Sequence, residues 1–162
     1  MGPIKTRVGE QSPDLSLKDL HGNPVILSSF RGNKHVVLAF GSTSCGLFTM
    51  KLDDLQRVYE QYRQHPDVAF FVVYQKEAHP IMMGTGQPKT QERRVELAKR
   101  FQDKYRLEMP VLVDDMSNQA AKFTRLPSTA MIVDKDGRVR YEAMLLHPCA
   151  IEQTLQQLLR QE

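Results

Sequence analysis

The chain of 162 residues has no tryptophan, only two cysteines, and no apolar run approaching the roughly 18 residues of a membrane span. Two thiols, Cys45 and Cys149, are too few for a disulfide scaffold, and neither has a companion Cys or His at zinc-ligand spacing. No metal is expected, and the cysteines are left to act as thiols. Charge of one sign is lacking too: 22 Lys and Arg stand against 19 Asp and Glu, and the net +3 is spread along the chain. That distribution gives no reason to expect nucleic acid or a membrane surface as partner. Residues 1–5 carry none of the apolar stretch of a signal peptide, so a cytoplasmic protein is the expectation. Internal repeats and low-complexity tracts are absent, and Gly and Pro are scattered as turn punctuation. With 41% hydrophobic and 25% charged residues, residues 1–162 are expected to form a single domain with a real core.

What is present is an alternation of short apolar runs with helical periodicities. Residues 14–17 and 24–27 read as two short strands around the turn His21-Gly22-Asn23, a β-hairpin. Residues 35–41 are an apolar run of buried-strand length that breaks at Gly41-Ser42-Thr43-Ser44, immediately before Cys45. From Leu47, apolar residues recur at helical spacing through Met50, Leu52, Leu55, Val58, Tyr59 and Tyr62, and His65-Pro66-Asp67 stops them. Residues 68–74 read as the next buried strand, which makes strand, helix and strand a right-handed parallel unit. Residues 82–89 form an irregular loop, and 90–105 a helix with Thr90 as its N-cap. A strand at 110–113 and a short helix at 118–123 follow. A hairpin of 129–133 and 138–141 then turns on Asp134-Lys135-Asp136-Gly137, and an amphipathic helix at 150–159 closes the chain. The fold class is α/β, a central mixed sheet flanked by helices.

Reactive groups in open α/β sheets gather beyond the carboxyl ends of the parallel strands. Cys45 lies at such an end and opens a helix, whose free N–H groups and dipole favour a thiolate. Ser42, Thr43 and Ser44 offer hydroxyl donors to that thiolate, or cap the turn. Tyr74, Glu77 and His79 close the neighbouring strand and face the same crevice, His79 as an acid or base near neutral pH. Cys149, in the loop before the closing helix, is expected on the same edge as a candidate resolving thiol for an oxidised Cys45. Met82, Met83, Met131 and Met144 are read as packing residues.

The strand, the Gly41-Ser42-Thr43-Ser44-Cys45 turn and the element order resemble the redoxin branch of the thioredoxin-like superfamily. More specifically, Phe40-Gly41-Ser42, Cys45-Gly46-Leu47-Phe48 and Val73-Tyr74-Gln75-Lys76-Glu77-Ala78-His79-Pro80 resemble the iodothyronine deiodinases, in which a selenocysteine precedes two residues and a Phe. Val113-Asp114-Asp115-Met116-Ser117-Asn118 and the Leu126-Pro127 turn extend the similarity. The resemblance implies a thioredoxin-like fold with an N-terminal hairpin extension, and Cys45 as nucleophile in place of selenocysteine. It implies Ser42 and Ser44 as flanking hydroxyls, and Tyr74, Glu77 and His79 in proton relay and substrate binding. Phe48 and Pro127 fall beside the substrate, Pro127 at the cis-proline position of thioredoxin-like proteins. No bound cofactor is implied. The substrate is a small iodinated aromatic, and a small dithiol, glutathione or a thioredoxin-like protein serves as thiol reductant; a homodimer is left open.

The chain also departs from that pattern. Pro88 stands where a second histidine is usual, Ser128 where a Glu follows the Leu-Pro turn, and residues 144–149 replace a Gly-Pro-Trp-rich loop. Deiodinating chemistry without grip on thyroid hormone is therefore the expectation, slowed by sulfur in place of selenium. Two other classes stay open: a thiol peroxidase, and a non-catalytic thioredoxin-fold interaction module. The peroxiredoxin pattern would need Pro at Leu38 and Thr at Ser42, and a Cys-x-x-Cys dithiol would need a second thiol where Phe48 stands.

Overall fold

The computed structural model describes residues 7–83, 86–124 and 129–162. Its strands are β1 (Ser16–Asp19), β2 (Pro24–Ile26), β3 (His35–Gly41), β4 (Val68–Tyr74), β5 (Val111–Val113), β6 (Thr129–Val133) and β7 (Val139–Ala143). Its helices are α1 (Gly46–Thr49), α2 (Leu52–Tyr62), α3 (Gln91–Tyr105), α4 (Gln119–Phe123) and α5 (Pro148–Arg160). The strands form one mixed sheet in the order β2-β1-β5-β4-β3-β6-β7. β3, β4 and β5 are parallel, and β1, β2, β6 and β7 pair antiparallel.

β3 lies inside the sheet, between β4 and β6, because each of its residues can be buried. Val37 and Ala39 point into one core layer, and Val36, Leu38 and Phe40 into the other. The first layer is closed by Phe48, by Leu52, Leu55 and Val58 of α2, Leu97 and Phe101 of α3, and Ile151, Leu155 and Leu158 of α5. Each such side chain contributes about 1.5–3 kcal/mol by leaving water. The opposite layer is thinner, closed by Leu15, Leu17, Leu27 and the α4 residues Ala120 and Phe123. Thr90 caps α3 as expected, its hydroxyl accepting from Arg93 N at 3.1 Å. No helix of the described residues is long and apolar enough to cross a membrane.

Two expectations change in the structure. The helix predicted to run on from Cys45 is broken: α1 is one turn, and Lys51 at φ −105°, ψ 0° separates it from α2. The cause is Phe48, which turns fully into the core and stacks on Phe101 at 6.1 Å. Its ring lies where a Cβ of residue 41 would be, so only glycine fits at the end of β3. The break leaves Leu47 and Met50, expected on the apolar helix face, 58% and 67% exposed. Cys149, expected in a loop, is instead in the first turn of α5, because Pro148 with its fixed φ and missing N–H starts that helix.

Candidate active site at the carboxyl edge of the sheet

The carboxyl ends of β3 and β4 lie side by side, with Gly41 in register with Tyr74. The turn after β3 and the loop after β4 therefore meet, and the ladder extends one bond further, from Gln75 N to Gly41 O at 3.0 Å. Cys45 ends the first segment as the N-cap of α1, 5% exposed, with its carbonyl accepting from Phe48 N at 3.1 Å and Thr49 N at 3.0 Å. A single helical turn aligns few peptide dipoles, so little of the helix-dipole support expected for a thiolate is available here.

Glu77, buried to 2%, is the hub that ties the two segments together. Its Oε2 accepts from Ser44 N at 3.1 Å and from Ser44 Oγ at 2.7 Å, and its Oε1 from the Tyr74 hydroxyl. Because the Tyr74 proton is given to Glu77, the phenol oxygen accepts from Thr43, through Oγ1 at 3.1 Å and N at 3.4 Å. Because the Ser44 proton is given to Glu77, Ser44 Oγ accepts from His79 N at 3.0 Å and from Ser42 Oγ at 3.5 Å. Ser42 Oγ in turn accepts from Ala78 N at 3.3 Å. Each donor chain thus terminates on one carboxylate, which fixes the backbone immediately before Cys45. Burial, reinforced by the Glu77 carboxylate, pushes the Tyr74 phenol far above the ordinary tyrosine value, so it acts as a neutral donor.

The structure brings together Cys45, Ser42, Ser44, Tyr74 and Glu77 among the residues singled out from sequence. His79 joins through its backbone, and its side chain is exposed. Phe48 offers no surface to a substrate; it is a core residue. Pro127 lies outside the described residues. Cys149 is exposed, and the register locates it: β3 pairs Phe40 with Thr129 and β6 pairs Ala130 with Ala143, so β7 ends at the edge where β3 ends. α5, which follows, packs into the same core layer as Cys45. Met131 is buried as expected, whereas Met144 is half exposed, and with Leu47, Met50, Ile81 and Leu145 it gives this edge an apolar rim.

Two contributions were missed from sequence. Gln87, in what reads as an irregular loop, holds the backbone of Glu77, and nothing in its local sequence signals this. The segment 113–118, part of the resemblance, is architectural: Asp114 caps α4 by accepting from Ala120 N at 2.8 Å and Ala121 N at 3.1 Å. Buried Arg94 bonds Asp115 O at 2.6 Å and Asn118 Oδ1 at 3.0 Å.

Solved structures share this architecture. A thioredoxin domain of a thiol-disulfide oxidoreductase from Bacteroides vulgatus superposes with a TM-score of 0.71 at 15% identity, covering 94% of this chain and 98% of that one. A thiol:disulfide interchange protein from Bacteroides sp. superposes with 0.72 at 16% identity, covering 94% and 90%. The fold is thioredoxin-like, with Cys45 just beyond the carboxyl end of its central parallel strand pair. The family model described as iodothyronine deiodinase matches residues 4–146, and the chain belongs to that family. It is 28% identical over 137 residues to thyroxine 5-deiodinase of Sus scrofa, covering 80% of this chain and 44% of that protein. It is 26% identical over 147 residues to type I iodothyronine deiodinase of Xenopus laevis, covering 85% and 57%. Similarity also extends to thiol-disulfide oxidoreductase ResA of Geobacillus thermodenitrificans, 28% over 136 residues, covering 82% and 67%. The chain thus spans about half the length of the two deiodinases.

Proposed function

We propose that the protein removes iodide reductively from iodinated phenols, with Cys45 as the attacking thiolate and an external thiol as electron source. The observation that carries this reading is the Glu77 hub, which binds the turn before Cys45 to the segment after β4 that the family resemblance singles out. The thiolate attacks iodine along the carbon–iodine bond; the carbon–iodine pair is left on the ring and takes a proton, giving the arene and a sulfenyl iodide on Cys45. One external thiol displaces iodide to form a mixed disulfide, and a second releases Cys45 as the thiol. No bound cofactor enters the cycle, and a cytoplasmic setting, where thiols are kept reduced, suits it. His79, exposed at the rim, is the acid for the ring carbon; Tyr74, neutral and committed to Glu77, positions rather than protonates. The apolar rim suits an aromatic substrate.

The test is iodide release from diiodotyrosine with excess dithiol, alongside hydrogen peroxide reduction by the same preparation. Iodide above the Cys45→Ser control is expected, with His79→Ala costing more than Cys149→Ser. Rapid peroxide turnover without iodide would replace this reading by a thiol peroxidase, which the exposed Cys149 on the same edge would also serve. A Cys-x-x-Cys exchange cycle is not available, because position 48 is a core phenylalanine.

A further inference from the structure

Glu77 lies beyond the end of the β3–β4 ladder, whose last bond is made by Gln75 N. It is nevertheless 2% exposed, so its peptide N–H and C=O need partners inside the protein. Both are supplied by one side chain: Glu77 N donates to Gln87 Oε1 at 2.8 Å, and Gln87 Nε2 donates to Glu77 O at 2.6 Å. The primary amide thus completes the pairing that a neighbouring strand would make, from ten residues further along the chain. Gln87 is exposed, and the chain that carries it is held on its C-terminal side. Pro88, the next residue, is buried, and α3 starts just beyond with Thr90 as its cap. The carboxylate of Glu77 meanwhile faces Ser44 and Tyr74.

We infer that Gln87 is a positioning residue, which acts by fixing the backbone from which the Glu77 carboxylate reaches Ser44 and so sets the turn that presents Cys45. The inference rests on the reading in which Glu77 poises that turn. Gln87 touches the peptide of Glu77, and its effect on the thiol passes through the carboxylate. A shift of about 1 Å in such a support is enough to change a reactive centre by an order of magnitude or more. The fold supplies a matched control. Gln119 makes the same two-bond clasp on Ser16, with Ser16 N donating to Oε1 at 3.0 Å and Nε2 donating to Ser16 O at 3.1 Å, on β1, which β5 separates from β4 in the sheet order.

The experiment measures the rate of iodoacetamide alkylation of Cys45 against pH in the full chain carrying Cys149→Ser. Gln87→Ala is expected to move the rate in the direction that Glu77→Gln moves it, by roughly 3- to 10-fold, and to add nothing once Glu77→Gln is present. Gln119→Ala is expected to leave the rate and its pH profile as they were. Gln87→Glu serves if the alanine variant folds poorly: as a carboxylate it keeps the acceptor for Glu77 N and loses the donor to Glu77 O. Its Glu77 amide should therefore match the parent in NMR shift only below about pH 4, where the carboxyl is protonated. A wild-type rate in Gln87→Ala, beside an altered one in Glu77→Gln, overturns the inference and leaves the role of Glu77 intact. An unaltered rate in Glu77→Gln removes the role of Glu77 and the inference with it. A Gln119→Ala rate shifted as far as that of Gln87→Ala reduces the effect to general loosening and also overturns it.

Discussion

Replacing Glu77 by Gln keeps the shape of the hub and removes its charge, and the hydrogen bonds dictate how the protein must respond. Ser44 N–H cannot reverse, so the amide keeps its oxygen toward Ser44 and turns its NH2 toward Tyr74. The phenol then accepts where it had donated, and its proton swings to Thr43 Oγ1, so each polar group stays paired. Three bonds to a charged acceptor, worth about 1.5–3 kcal/mol each, become neutral bonds of about 0.5–1.5 kcal/mol. The variant no longer buries a carboxylate, which offsets much of that loss. A net destabilisation of about 1 kcal/mol is expected. Glu77→Ala instead strands three donors at about 1–3 kcal/mol each, and with Ser44 only half-buried the sum should be about 3–5 kcal/mol. Urea unfolding followed by circular dichroism gives both numbers. Tyr74 reports the reversal independently: with no carboxylate beside it, its phenol should titrate at lower pH in Glu77→Gln than in the wild type, read by tyrosinate absorbance. Equal losses for the Gln and Ala variants, or an unmoved Tyr74 titration, would refute the assigned direction of these bonds.

Tyr74 also sets an alkaline limit: the unfolded chain releases the phenol proton near pH 10 and the folded chain holds it. Stability is then full below about pH 10 and declines above it, so the urea midpoint should fall between about pH 10 and 11, and a flat profile there would contradict the burial argument. Gly41→Ala should cost about 1–3 kcal/mol by forcing the Phe48 ring off β3, and Phe48→Leu in the same chain should recover part of it; strictly additive losses would deny the contact. Mild peroxide should oxidise Cys45 to a sulfenic acid that condenses with Cys149, releasing water and opening the first turn of α5. Peptide mapping without reductant detects the link, and a stable sulfinic acid on Cys45 with Cys149 still free would count against it.

The sequence by itself determined the strands that carry the site. The bounds of β3, β4 and β6 coincide with their apolar runs, because a strand buried on both faces can contain little else. That alone fixed Cys45 at a carboxyl end and brought residues 42–44 and 74–79 to neighbouring strand ends. The local pattern misjudged the stretch from Leu47 to Lys51: helical spacing put Leu47 and Met50 on the apolar face and left Phe48 off it, and only contact with Gly41 and Phe101 selects Phe48 and breaks the helix. Tertiary structure likewise decided which hydroxyls give their protons to Glu77 and that Gln87 holds it. Apart from the Tyr74–Glu77 bond, which spans three residues, such bonds join residues 10 to 33 apart, and their direction depends on burial and on which donor lacks an alternative partner. Neither property is carried by the spacing of residues along the chain.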